Sequence, residues 1–153
     1  MLPENETRMI VVVSMKRMNA IRWVDKENFL VCAQAGILGQ DLELELKPHG
    51  LTGGHEPDSM EFSTLGGWVS TRASGMKKNT YGNIEDIVQN ITMVTSKGTY
   101  NKNAAWPRIS NGPDLNHLMM GSEGNYGIIT EVTFRVRPLP EVRIFESILF
   151  YDW

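Results

Sequence analysis

Residues 54–75 constrain this chain more than any other part of it. They read Gly54-His55-Glu56-Pro57-Asp58-Ser59-Met60-Glu61-Phe62-Ser63-Thr64-Leu65-Gly66-Gly67-Trp68-Val69-Ser70-Thr71-Arg72-Ala73-Ser74-Gly75. The run holds too many glycines and hydroxyls, and too little apolar periodicity, for an ordinary core segment. Glycine lets a ligand come close to bare backbone N–H groups, and Ser/Thr hydroxyls add donors. A phosphate-bearing cofactor is the natural occupant of such a loop. A second loop of this kind, Gly121-Ser122-Glu123-Gly124-Asn125-Tyr126-Gly127, runs straight into a strand-like segment. Two such loops in one short chain point to a long ligand held at several points.

The 153 residues are of one-domain size. A net charge of −3 provides no broad basic footprint, so a nucleic-acid partner is not expected. Lys77-Lys78 reads as a solvated pair in a loop. The single cysteine, Cys32, excludes an intrachain disulfide and any multi-cysteine metal site, and its place in an apolar run reads as an inert buried thiol. His49, His55 and His117 are scattered and lack carboxylates at ligand spacing, so no metal site is expected. The first residues are polar, without the apolar core of a signal peptide, and no run is long enough to span a bilayer. Phe150-Tyr151-Asp152-Trp153 is neither a peroxisomal address nor a lipidation signal. Residues 144–151 read as the start of a strand, which makes the chain look cut from something longer.

The pattern predicts strands over residues 9–15, 20–24 and 29–35, the last two joined by the turn Asp25-Lys26-Glu27-Asn28. Residues 36–47 are ambiguous. Leu42, Leu44 and Leu46 alternate as in a strand, while Leu38, Leu42 and Leu46 are spaced as in a helix. The Glu/Leu composition and the stop at Pro48 and Gly50 decide for a helix. A short helix is predicted within residues 63–73. Residues 83–90 lead into a strand over 91–95, which turns at Ser96-Lys97-Gly98-Thr99 into residues 100–102 as a hairpin. Residues 113–120 read as a helix with Leu115, Leu118 and Met119 on one face. A strand over 128–136 faces Ile129, Val132 and Phe134 inward, with one slip in the alternation. Trp68 and the methionines, Met119-Met120 included, read as core packing. The fold class is α+β.

The run from Thr52 to Val94 and the block from Gly112 to Pro138 resemble the FAD-binding domain of the alkyldihydroxyacetonephosphate synthase (alkylglycerone-phosphate synthase) family. These are PCMH-type flavoproteins of the vanillyl-alcohol-oxidase superfamily. Met18-Asn19, Trp23-Val24-Asp25 and Ala35-Gly36-Ile37 fit the lead-in to the cofactor loop. Gly-Ser-Glu-Gly alone signals only the wider flavin superfamily. The long run from Gly54 to Asn79 favours the synthases over their dehydrogenase cousins.

The resemblance implies a mixed or antiparallel sheet flanked by helices, FAD as cofactor, and three cofactor segments. Asp58, Ser59, Met60, Glu61, Phe62, Ser63 and Thr64 would lie along the flavin and pyrophosphate. Thr71, Arg72, Ala73 and Ser74 would supply backbone and hydroxyl donors. Glu123, Gly124, Asn125, Tyr126, Gly127, Ile128 and Ile129 would meet the adenosine half. The family has Thr-Leu where this chain has Asn125-Tyr126, and the bulkier tyrosine would reshape that pocket. Gly66, Gly67 and Gly75 are read as glycines of close cofactor approach. His55 is read as a structural or contact residue, in preference to a flavin attachment site. Tyr81-Gly82 either closes the loop around the flavin or turns the chain.

The resemblance further implies that the family's first phosphate loop lies before residue 1. The substrate cap and the reacting tyrosine and histidines would lie beyond residue 153. Residues 1–140 would be a partial FAD-binding domain and 141–153 the start of the following region, with no catalytic residue in the chain. In the family, acyl-dihydroxyacetone phosphate exchanges its acyl group for a long-chain fatty alcohol, giving an ether lipid. The family context is the peroxisome, and a homodimer and association of the parent with the peroxisomal membrane are compatible with it. The rival readings are a fragment of an FAD-linked D-2-hydroxy-acid dehydrogenase and a non-catalytic flavin-binding or interaction module.

Overall fold

The structure, a computed structural model, describes residues 7–102, 110–144 and 146–152. Its centre is a five-stranded antiparallel sheet in the order β1-β2-β6-β4-β5. The strands are β1 (Ile21–Asp25), β2 (Leu30–Gln34), β4 (Val88–Thr95), β5 (Gly98–Asn101) and β6 (Ile128–Arg135). β3 (Leu51–Thr52) and β7 (Arg137–Pro138) form a separate two-stranded pair. The helices are α1 (Gly39–Leu46), α2 (Leu65–Thr71), α3 (Lys78–Tyr81), α4 (Ile84–Ile87) and α5 (Leu115–Met119).

The turn between β1 and β2 forms because Asp25 Oδ1 accepts from the backbone N–H groups of Glu27 and Asn28, each at 3.0 Å. β2 then runs as a central strand, and Leu30, Val31, Cys32 and Ala33 are all buried. Val31 and Ala33 join one core with Ile91 and Met93 of β4 and Ile129, Val132 and Phe134 of β6. Leu42 and Leu46 of α1, Leu65, Trp68 and Val69 of α2, and Ile84 and Ile87 of α4 close that face. The inward set of β6 changes parity between Ile129 and Val132. Thr92 pairs with Glu131 and Met93 with Ile129, so Thr130 is an extra residue, a bulge, and its Oγ1 donates to the Thr92 carbonyl at 3.2 Å. The slip in the sequence pattern is this bulge.

Three expectations are corrected. Residues 9–15 lie outside every strand, and Met9, Val11 and Val12 are exposed. The run is apolar enough for a strand, but no strand among the described residues pairs with it. Residues 144 and 146–151 are likewise outside any strand, with Ile144, Ile148, Leu149 and Phe150 exposed. In α5 the buried residues are Asn116 and Met119, while Leu115 and Leu118 are exposed. Asn116 takes the inward place because its Nδ2 donates to the Gln89 carbonyl at 3.0 Å. Among the described residues no helix is long and apolar enough to cross a membrane.

Candidate cofactor-binding site

The first predicted segment, residues 58–64, is a tight turn that lies against the starts of both α1 and α2. Met60 N–H donates to the Pro57 carbonyl at 3.1 Å, and Ser63 N–H to the Ser59 carbonyl at 2.8 Å. The turn in turn caps α1, since Gly39 N–H donates to Ser63 O at 3.1 Å and Gln40 N–H to Met60 O at 3.2 Å. Asp58, Ser59, Glu61 and Phe62 are exposed, while Met60, Ser63 and Thr64 are half-buried.

Helix α2 links the first segment to the second. Its opening donors are all satisfied inside the protein. Leu65 N–H donates to Ile37 O at 3.0 Å and Gly66 N–H to Ala35 O at 2.8 Å. Gly67 N–H donates to Thr64 Oγ1 at 3.1 Å and Trp68 N–H to Thr64 O at 3.0 Å. The start of α2 therefore offers no spare backbone donors to a phosphate. Gly66 serves packing: a Cβ there would lie 2.7 Å from Ala35 Cβ and 2.9 Å from Ala35 O. A Cβ on Gly75 would lie 3.0 Å from Glu56 N and 3.2 Å from His55 Nδ1. Protein neighbours crowd both positions, Gly66 more tightly than Gly75.

The hydroxyls can be accounted for one by one. A hydroxyl has one hydrogen to donate and two lone pairs to accept with. Ser63 Oγ donates to Ser59 O at 2.8 Å and accepts from Trp68 Nε1 at 2.7 Å. Thr71 Oγ1 donates to Gly67 O at 2.9 Å. Both have spent their donors. Thr64 Oγ1 accepts in the bond that caps α2, and among the described residues its hydrogen has no acceptor, which leaves it available to a ligand. Ser74 is exposed.

The second and third segments meet at the far end of α2. Arg72 caps the helix in the left-handed conformation (φ 55°) and its guanidinium lies 3.4 Å from the His117 carbonyl. Gly121 N–H donates to Val69 O at 3.0 Å, and Glu123 N–H to Ser70 O at 3.1 Å. The Asn125 amide Nδ2 donates to Ser122 O at 2.8 Å, which sets the loop conformation. Thr71, Arg72 and Ser74 are exposed and Ala73 half-buried; Glu123, Gly124, Asn125, Tyr126 and Ile128 are exposed and Gly127 half-buried. Ile129 is buried in the core and pairs with Met93 of β4. The fold thus brings residues 71–74 and 123–127 together and holds 58–64 at the opposite end of a seven-residue helix. A ligand that meets all three must be long.

His55 lies behind this surface, with its ring edge-on to Trp68 at 5.1 Å between centroids. It is buried, and neither ring nitrogen has a hydrogen-bond partner among the described residues. Burial pushes its pKa below the ordinary histidine value, with Glu85 acting weakly the other way. The imidazole is therefore held neutral. A cleft of about 770 Å³ opens beside it, lined by Gln40, Glu43, His55, Met60, Tyr81 and residues 139–143. Tyr81 packs on Gly54 and under Arg137, whose guanidinium lies 5.4 Å from the ring centre. A second groove, along β1 and the end of α1, contains none of the predicted residues.

Sequence reasoning missed Glu56. Its carboxylate is paired with Lys77 and, at 2.9 Å, with Arg143. Burial alone would raise its pKa, but the bonds from Lys77 and Arg143 outweigh that and lower it. Lys77, read from sequence as a solvated charge, is one of the two cations paired with Glu56. The available signal was weak: charges this far apart in sequence meet only through the fold. Among the described residues no group of three or more His, Cys, Asp or Glu side chains is placed to hold a metal ion.

Residues 2–102 match the family described as FAD binding domain. The chain belongs to that family. FAD is the cofactor of this domain class, and the antiparallel sheet with flanking helices is its fold. The FAD-binding domain is 53% identical over 148 residues to alkyldihydroxyacetonephosphate synthase of Caenorhabditis elegans, covering 97% of this chain and 25% of that protein. It is 42% identical to the synthase of Dictyostelium discoideum over 97% of this chain and 24% of that one. A D-lactate dehydrogenase of Anaerostipes hadrus is 43% identical over 86% of the chain and 28% of its own length. A solved alkyldihydroxyacetonephosphate synthase superposes with a TM-score of 0.83 at 41% identity, covering 92% of this chain and 25% of that one. The chain spans about a quarter of the length of the relatives it matches.

The residues present fit FAD in part. The exposed backbone of all three loops, the free Thr64 hydroxyl hydrogen, Ser74 and the Arg72 guanidinium suit a long ligand with phosphates. The opening turn of α2 does not contribute donors.

Proposed function

We propose that this FAD-binding domain serves an alkylglycerone-phosphate synthase. That enzyme replaces the acyl group of acyl-dihydroxyacetone phosphate by a long-chain fatty alcohol. The observation that carries the reading is the 53% identity to a synthase, sustained over 148 residues. The synthase match spans 97% of the chain, against 86% for the D-lactate dehydrogenase. In this reading residues 58–64, 71–74 and 123–129 hold the dinucleotide. The bound flavin supplies the chemistry of the exchange. The chain's own residues bind and orient it: Thr64 and Ser74 donate hydrogen bonds, Arg72 offers positive charge, and neutral His55 lines the adjoining cleft. Residues 141–153 belong to the region that follows the domain. Peroxisomal location, association with its membrane and dimerisation are further parts of the same family-based reading.

The test is a flavin titration of the 153-residue chain, read by quenching of flavin fluorescence. Saturable binding that Thr64→Val and Ser74→Ala together weaken by roughly thirtyfold, at about 1 kcal/mol for each lost hydrogen bond, is the expected result. A folded chain whose binding ignores both substitutions refutes the assignment of these residues. Product analysis on the longer parent separates the two enzyme readings: an ether lipid supports the synthase, and oxidation of a 2-hydroxy acid overturns it.

A further inference from the structure

Glu56 stands where three segments of the chain meet. Its carbonyl accepts from Met76 N–H at 2.9 Å, which binds it to the turn just after residues 71–74. Its carboxylate pairs with Lys77 of the same turn and with Arg143. Arg143 belongs to the segment that follows β7, and that segment is attached upstream where Leu139 N–H donates to Gly50 O at 2.8 Å. Pro57 comes next in the chain, and its carbonyl accepts the Met60 N–H bond that opens the turn of residues 58–64. Proline has a fixed φ, so the position of Glu56 is passed on to that turn with little slack. The side chain of Glu56 is 28% exposed, against 57% for Arg143, so this ion pair is partly shielded from water.

We infer that Glu56 is a positioning residue that ties residues 139–143, through Arg143, to the turn of residues 58–64 assigned to FAD and to the turn that follows residues 71–74. The inference rests on the proposed cofactor assignment for its effect on FAD, and on the ion pairs alone for its effect on the loops. It makes the segment leaving the domain a brace for the cofactor-facing turn. Arg143 therefore influences FAD binding from outside all three cofactor loops.

The experiment compares Arg143→Gln, Glu56→Gln, the double variant and Arg143→Lys in the full 153-residue chain, by amide hydrogen exchange and by FAD titration. Arg143→Gln is expected to speed exchange at the Met60, Met76 and Leu139 amides and to weaken FAD by roughly two- to fivefold, the range of a partly exposed ion pair. Arg143→Lys should restore most of both effects, and adding Arg143→Gln to Glu56→Gln should change little further. Unaltered exchange at Met60 and Met76 in Arg143→Gln overturns the tie. Faster exchange with unaltered FAD affinity overturns its reach to the cofactor. If the unsubstituted chain does not bind FAD, the cofactor assignment fails, and exchange alone still decides whether the tie exists.

Discussion

Gly66 and His55 show how differently two residues of one motif are constrained. Gly66 is fixed by steric contact with the Ala35 methyl group and carbonyl. Gly66→Ala should cost about 1–3 kcal/mol, the usual range for forcing atoms into a packed interface, read as a lower urea midpoint with an unchanged denaturant slope. His55 is fixed by burial, and its folded pKa is lowered from the ordinary 6.5. The unfolded chain therefore takes up a proton at a pH where the folded ring stays neutral. The stability present above pH 6.5 is lost as pH falls through the lower folded value. Urea midpoints measured downward from pH 8 should decline through this window, and His55→Gln should flatten that part of the profile. Glu56, also lowered, acts in a separate window: its contribution is present above its ordinary 4.5 and lost as pH falls through the folded value. At this scale the sequence told which residues occupy the loops, because glycine and hydroxyl content is local. It did not tell which hydroxyls stay free. That depends on Trp68 reaching Ser63 and on Thr64 serving Gly67, contacts created when α2 forms and docks.

Elements were legible where one spacing dominated and ambiguous where two were satisfied. Residues 39–46 carry both a period of two and a period of four, and composition correctly favoured the helix. Its geometry gives a direct check. Leu42 is 2% exposed and Leu44 65%. A strand would place these two on the same face; a helix separates them. Leu42→Ala should cost about 2–5 kcal/mol by leaving a core cavity. Leu44→Ala should stay within about 0.5 kcal/mol. Chemical denaturation of the two variants distinguishes the arrangements, since similar costs would contradict the helix. The bulge at Thr130 appeared in the sequence only as a break in alternation, for which the register with β4 supplies the cause. In α5, hydrophobicity placed Met119 inward correctly but Leu115 and Leu118 wrongly. Asn116 is drawn inward by a hydrogen bond to Gln89 O, and no apolar pattern encodes that partner.

At the scale of the whole molecule, the sheet and its helices bury one continuous core, while two apolar runs outside it stay in contact with solvent. Val11 and Val12 are 69% and 88% exposed, and Leu149 and Phe150 are 86% and 78% exposed. The sequence marked residues 9–15 and 144–151 as strands because their composition is that of strands. Composition sets the propensity, but a strand also needs a neighbour to hydrogen-bond and a surface to cover it, and the described residues provide neither. Residues 9–13, Met9-Ile10-Val11-Val12-Val13, combine β-branched side chains with an absence of charge and of proline. Such a segment pairs readily with copies of itself when exposed. The isolated chain should therefore self-associate as its concentration rises, even with the core fully folded. Replacing Val11 and Val13 by lysine interrupts the run with charge at positions that are exposed and outside the core. Light scattering across a concentration series should show growth for the unsubstituted chain and a marked reduction for the double-lysine variant, with the urea midpoint unshifted and the unfolding free energy of the core unchanged within about 0.5 kcal/mol. A shifted midpoint would mean that residues 9–13 contribute to folding stability, contrary to their exposed position.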